Sequence, residues 1–303
     1  MLLTLNSKPA WSLATVELVL NWKPEPQFGG FFAVSALELD KKYGFELKIT
    51  PGGSGSPTIQ LLANKKVPLA IISAEELIQA HAKKQTHIKA LWATFQDNPQ
   101  MIMVKKESGI KNIRELVSRE DYRLLWQEGL PYAQFLRKKY AHEWKITTSP
   151  YWGGLGLFLQ EKKLATQGLE TSEPLLLPKE MNVTIFRVRD EGFNPYLVVL
   201  ASHEEWLKTH TQLWPKVLKA VEEGWKAYLT NPSLVNAHMK KLNPVLSDDF
   251  LTKSAEAQKS LINKAGVTLG HIDKKRLAEL ARIMRQMDLI STEPKAELMI
   301  WPY

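Results

Sequence analysis

The 303-residue chain contains no cysteine. That absence excludes disulfide bonds, zinc–thiolate centres, cysteine nucleophiles and lipid anchoring through a cysteine. No run of ~20 apolar residues occurs, so no helix long enough to cross a bilayer is encoded. Catalytic signatures are also missing. There is no phosphate-binding Gly-x-x-x-x-Gly-Lys-Ser/Thr loop, and Gly154-Leu155-Gly156 lacks the third glycine of a dinucleotide fingerprint because position 159 is Leu. The glycine-rich run 52–56 ends in Ser56 where a nucleophile elbow requires glycine. The seven histidines never form a His-Glu-x-x-His pair, and His203-Glu204-Glu205 reads as the start of a helix, where carboxylates suit the dipole.

What is present describes a globular, water-soluble chain: 44% of residues are hydrophobic and 24% charged. The length is enough for two ordinary domains. A formal net charge of +8 permits an acidic partner, but the basic residues fall in scattered helical pairs such as Lys41-Lys42, Lys83-Lys84 and Lys240-Lys241. That is the pattern of a solvated surface and not of a nucleic-acid stripe. Residues 1–14 begin apolar and lead to Ser12-Leu13-Ala14, a small-x-small pattern of the kind signal peptidases cut. They are expected to be the tail of an export signal, the alternative being a disordered extension.

The most informative stretch is 18–73, where an apolar strand twice runs into a polar, aromatic or glycine-rich loop that opens a helix. Alternation at 16–20 predicts a strand, broken by Asn21-Trp22-Lys23-Pro24-Glu25-Pro26. A helical pattern then runs from Phe28 to Tyr43-Gly44. Alternation returns at 45–49, and the loop 52–57 follows, with Ser56 expected as N-cap and Pro57 at the first helical position. The loop is either a tight turn with a cap or a receiver of an anionic or carbonyl oxygen.

Further strands are expected at 66–73, 88–95, 101–104, 122–126, 144–148, 164–169 and 183–188, alternating with helices. That rhythm predicts mainly parallel α/β sheets. Gln96-Asp97-Asn98-Pro99 is a polar elbow at which the chain is expected to cross into a second domain, and 195–201 is expected to carry it back. The remainder reads as helix: one apolar face from Trp206 to Leu229, then segments at 233–241, 247–263 and 274–287.

In an open α/β sheet a ligand sits at the carboxyl ends of the strands. The loop ends there collect aromatics, amides and carboxylates, a lining suited to a flat heterocycle held by stacking and a few hydrogen bonds. The expected ligand contacts are Asn21, Trp22, Gln27, Phe28, Ser73, Glu75, Asn98, Gln127, Gln167, Glu173, Glu191, Phe193, Asn194 and Tyr196. No catalytic residue, metal ligand or cofactor is expected.

Leu20-Asn21-Trp22-x-Pro24 with Gly30, the Gly52–Pro57 loop, Lys66-Val67 with Ile72-Ser73, Gln167-Gly168-x-x-x-x-Glu173-Pro174 and Gly192-Phe193-Asn194-Pro195-Tyr196 carry a resemblance. In this order, over roughly residues 15–240, the chain is similar to the solute-binding proteins of ABC importers, in particular those of the thiamine-pyrimidine and riboflavin-precursor type. The resemblance implies a type 2 periplasmic-binding-protein fold. Two α/β lobes, 15–98 with 197–303 and 99–196, are then joined by two hinge segments. It implies an exported, periplasmic monomer that carries a small molecule to an ABC permease and its ATPase. By position it places Asn21, Trp22, Ser73, Gln167, Glu173 and the 191–194 loop against the ligand.

A relative of the same fold, the eukaryotic thiamine-pyrimidine synthase, is the rival class. It requires a cysteine-rich iron site, a lysine holding pyridoxal phosphate and an active-site histidine. Here residues 71–76 read Ile-Ile-Ser-Ala-Glu-Glu, and Phe28 stands where a first-loop histidine is common. Phe28, Glu25-Pro26-Gln27, Leu169 in place of a common aromatic and the spacing around 120–127 depart from the family pattern, which leaves sulfonates or another small oxyanion as alternative ligands.

Overall fold

A computed structural model describes residues 13–302 apart from Ser54, Gln85 and Thr86. The expected signal segment lies outside these except for Leu13 and Ala14, and Ala14 already opens the first strand. Ten strands are described: β1 (Ala14–Val19), β2 (Phe45–Thr50), β3 (Leu69–Ile72), β4 (Ile88–Ala93), β5 (Gln100–Lys105), β6 (Arg123–Trp126), β7 (Thr147–Pro150), β8 (Leu164–Leu169), β9 (Val183–Arg187) and β10 (Val199–His203). Between them lie helices α1 (Gly29–Ala36), α2 (Leu39–Tyr43), α3 (Thr58–Ala63), α4 (Ala74–Ala82), α5 (Ile113–Val117), α6 (Pro131–Lys139) and α7 (Gly156–Gln160). After β10 come α8 (Glu204–Thr209), α9 (Trp214–Thr230), α10 (Ser233–Leu242), α11 (Asp248–Ala257), α12 (Lys259–Ile262) and α13 (Lys274–Gln286).

The strands form two five-stranded sheets, in the orders β2-β1-β3-β10-β4 and β7-β6-β8-β5-β9. Both follow one pattern, with a strand that arrives from the other sheet inserted at the fourth position. That inserted strand is the antiparallel one: β10 against β3 and β4, and β5 against β8 and β9. The remaining pairings with β1 and β6 are parallel. The sequence pattern predicts parallel pairing between successive βα units, and the exceptions arise where a strand comes straight off a crossing. The chain passes between the sheets at 94–99 and again at 188–198.

Helix α1 is apolar on all sides and buried along six of its eight residues, as a helix at the centre of a lobe must be. Its two leading glycines are required by α9. A Cβ on Gly29 would lie 2.1 Å from the Tyr228 ring, and one on Gly30 2.1 Å from the Trp225 ring. Gly224 in turn faces the Gly30 carbonyl, 2.4 Å from where a Cβ would stand. The apolar cluster on the other face of this sheet runs without a break through the crossings into the second lobe, from Ile72 and Ile88 by way of Val199 and Phe193 to Ile102 and Trp126.

Three local expectations differ. The helix expected from Phe28 to Tyr43 is two helices, broken at Glu38, which takes a left-handed φ of 54°. The break turns Asp40 inward, where its carboxylate accepts the Leu47 N–H at 2.9 Å. The segment 247–263 splits at Gln258, whose buried amide donates to the Pro26 carbonyl at 3.0 Å. Ser56 does not cap α3: its hydroxyl accepts the Gly53 N–H at 2.7 Å, and α3 starts at Thr58 after Pro57.

Candidate functional site

β1 and β3 are parallel neighbours, so the loops that leave them emerge on one edge of the first sheet. The first loop carries Asn21 and Trp22, both half-buried, and is tied to the glycine loop by the Gly52 N–H, which donates to the Trp22 carbonyl at 3.0 Å. A Cβ on Gly52 would sit 2.1 Å from the Leu20 carbonyl oxygen, so the close approach of the two loops requires glycine there. Next come Glu25 and the buried Gln27, whose amide donates to the Glu25 carboxylate at 3.1 Å. From β3, Ser73 caps α4 in a capping box: the Glu76 N–H donates to its hydroxyl, and its own N–H donates to the Glu76 carboxylate at 2.7 Å. Glu75 beside it is buried, with Oε2 unpartnered among the described residues.

The second sheet repeats the arrangement. β6, β7 and β8 are parallel, and their carboxyl ends bring Gln127, Tyr151 and Gln167 to one edge. The Gln167 carbonyl oxygen accepts from the Gln127 N–H and the Tyr132 hydroxyl, both at 2.6 Å, while its amide donates to the Gln127 side chain at 3.0 Å. Glu173 accepts the Leu169 N–H at 2.7 Å and the Tyr151 hydroxyl at 3.1 Å. It lies so close over Gly168 that a Cβ there would be 2.6 Å from its Oε2.

Helix α11, in the first lobe, brings the two sets together. Gln258 at its end holds Pro26, and the buried Ser254 hydroxyl donates to the Thr171 carbonyl of the second lobe at 2.6 Å. The Glu173 charge thus acts on Glu25 from the other lobe. Burial raises Glu25 to about 7, with the Glu173 charge adding to the rise and the Gln27 and Trp22 hydrogen bonds opposing it. Burial likewise raises Glu173, against its hydrogen bonds from Leu169 and Tyr151. Burial pushes Glu75 up to about 8. The Tyr151 hydroxyl is raised by burial and by the neighbouring Glu173 charge, so it stays a donor.

The other expected contacts are placed differently. Phe28 is buried in the core of the first lobe. Phe193 is buried and stacks on Phe135 with ring centroids 4.8 Å apart. Glu191 accepts from Lys139 Nζ at 2.5 Å and from the Tyr140 hydroxyl. Asn98, Asn194 and Tyr196 brace the crossings. The Asn98 N–H donates to Asn194 Oδ1 at 2.8 Å, and Asn98 Nδ2 donates to the Pro195 carbonyl at 2.9 Å. The Tyr196 hydroxyl accepts the Asp273 N–H, and its ring lies 4.0 Å beneath the Arg276 guanidinium.

Glu25, Tyr132 and Tyr151 belong to the cleft without having been singled out. Glu25 lay inside a loop already marked, between two prolines. Tyr151 follows a strand whose end the sequence pattern set two residues too early. Among the described residues no group of three or more histidines, aspartates and glutamates is arranged to hold a metal ion.

A family model described as NMT1/THI5 like matches residues 25–124 and 157–234. No curated protein sequence matches the chain. Solved structures share the fold at low identity. One is the periplasmic aliphatic sulphonate binding protein SsuA of Escherichia coli (14% identity, 96% of this chain and 93% of that one, TM-score 0.72). Another is the Candida albicans CA3427 gene product, described as having the generic periplasmic binding protein fold (11%, 94% of both chains, 0.60). A third is the desulfurization enzyme DSZB (12%, 95% and 96%, 0.64). The two-lobed architecture is that of the periplasmic binding proteins.

Proposed function

Because the chain belongs to the NMT1/THI5-like family, we propose that it is the substrate-binding component of an ABC importer. It captures a small heterocyclic metabolite of the thiamine-pyrimidine or riboflavin-precursor class between its lobes. In this reading it is an exported carrier, working as a monomer with a permease and its ATPase. The observation that carries it is the chemistry shared across the cleft. Glu25 of one lobe, beside Trp22 and Gln27, lies within electrostatic reach of Tyr151 and Glu173 of the other, so that aromatic rings stand among two carboxyl groups and side-chain amides.

Such a lining suits a flat ring that offers N–H donors. It suits a sulfonate or other oxyanion poorly, since an anion entering a partly desolvated cleft beside carboxylates is repelled. A guest stabilises the closed pair of lobes through the contacts it makes with both, and Glu25 and Glu173 supply one from each side. A carrier is favoured over the synthase-like enzyme because the chain has neither the cysteines nor the lysine–histidine pair that chemistry uses.

The test is a thermal-shift panel of aminopyrimidines, flavins, aliphatic sulfonates and nitrate. A ligand present at ~100 times its Kd stabilises by about 2.7 kcal/mol, so one heterocycle raising Tm supports the proposal. A rise with a sulfonate alone would replace the heterocycle by an oxyanion, and turnover of any bound compound would replace the carrier by an enzyme.

A further inference from the structure

We propose that Glu25 and Glu173 form a clamp of two carboxylates, one from each lobe, that selects ligands presenting a cationic or multiply N–H-bearing nitrogen group, and that Glu25 is the residue that sets this selectivity. The inference rests on the reading of the cleft as a binding site and goes beyond it by naming the group that the guest must carry.

Helix α11 ties Pro26 through Gln258 and Thr171 through Ser254, and so fixes the residues flanking both carboxylates relative to each other. Glu173 is aimed by the Leu169 N–H and the Tyr151 hydroxyl and held down over Gly168. On the other side Gln27 engages Glu25 Oε2. The charges around the pair are few. Tyr151 and Tyr132 face Glu173 as neutral hydroxyls, and Lys23, beside Glu25, is exposed and the weakest influence on it. Among the described residues neither carboxylate forms an ion pair, although surface carboxylates throughout the chain do.

Two neighbouring carboxylates without a cation repel when both are ionised; burial raises Glu25 to about 7 and the Glu173 charge adds to that rise. A group that donates to both relieves the repulsion and bridges the lobes in one step, whereas a ring that turns a carbonyl toward them meets acceptors only. Glu25 sits in the Pro24-Glu25-Pro26 turn, where the prolines on both sides restrict the backbone.

The experiment is titration calorimetry at pH 7.5 with 4-amino-2-methylpyrimidine, 2-methyl-4-pyrimidinone and benzamidine. The proteins are the full-length wild type and the Glu25→Gln and Glu25→Asp variants, each first shown to melt cooperatively. The wild type is expected to bind the amino compound at least about tenfold more tightly than the oxo compound. Glu25→Gln is expected to erase that preference, and Glu25→Asp to restore part of it. If Glu25→Gln keeps the preference, the clamp is refuted while the carrier reading stands. If benzamidine binds and neither pyrimidine does, the heterocycle class fails and the clamp stands, provided Glu25→Gln abolishes that binding. If no probe binds the wild type, the clamp is refuted.

Discussion

Replacing Glu75 with Gln tests how the cleft edge handles buried acid. Glu75 is only 2% exposed, its Oε2 has no partner among the described residues, and burial pushes it up to about 8 from an ordinary 4.5. Below 4.5 both the folded and unfolded chains carry the proton, and the side chain costs nothing extra. Between 4.5 and 8 the unfolded chain has released a proton that the folded one retains, so stability falls as pH rises; above 8 the loss levels off. One unit is 1.36 kcal/mol, which makes the full loss about 5 kcal/mol, of which roughly 3 kcal/mol is already incurred at pH 7. Glutamine has the same shape and no such titration. Its added N–H without a partner costs about 1–3 kcal/mol, but equally at every pH. Urea unfolding of wild type and Glu75→Gln at half-unit steps from pH 4.5 to 9 therefore reads a slope. The difference should move in favour of the variant by several kcal/mol across the range. A difference that stays constant with pH would mean that Glu75 titrates in the folded protein as it does in the unfolded chain, and the reasoning would fail.

Trp22→Ala should weaken binding of the heterocycle identified above by about ten- to a hundredfold, the worth of one stacked ring, while leaving the urea midpoint nearly unchanged; retained affinity with lost stability would make Trp22 a packing residue. Gly30→Ala forces a Cβ to 2.1 Å from the Trp225 ring and should cost about 2–3 kcal/mol or more in urea unfolding, since overpacking of this kind displaces backbone. Arg276→Ala removes donors to the Gln96 carbonyl at 2.5 Å and the Asn194 carbonyl at 2.7 Å, one on each crossing, together with the cover over Tyr196. It should lower stability by about 3 kcal/mol and change ligand affinity measured by calorimetry, although Arg276 lies at the hinge.

Much of the fold was legible because its signals are local. The alternation in Phe45–Thr50 and the apolar run that ends at Ser73 each report on a few consecutive residues. So does His203, whose ring nitrogen accepts the Glu205 N–H at the start of α8. What was lost involved contacts between elements rather than within one. Glu38 breaks a helical pattern so that Asp40 reaches Leu47, and Gln258 breaks another to reach Pro26, 232 positions away. Phe193, Asn194 and Tyr196 look like a ligand loop because an aromatic–amide run at a strand end is equally good for stacking on a guest or on Phe135 and Arg276.

The sequence by itself determined the strands, the helices, the α/β class and the loops in which binding groups gather, since hydrophobic period and capping chemistry act within one turn or one strand. Only the tertiary structure decided that β5 and β10 run against their neighbours, which aromatic residues are core, and that the Glu173 charge reaches Glu25. Those outcomes depend on α11 and the two crossings setting distances between segments far apart in sequence, and such distances leave no periodicity in the chain to read.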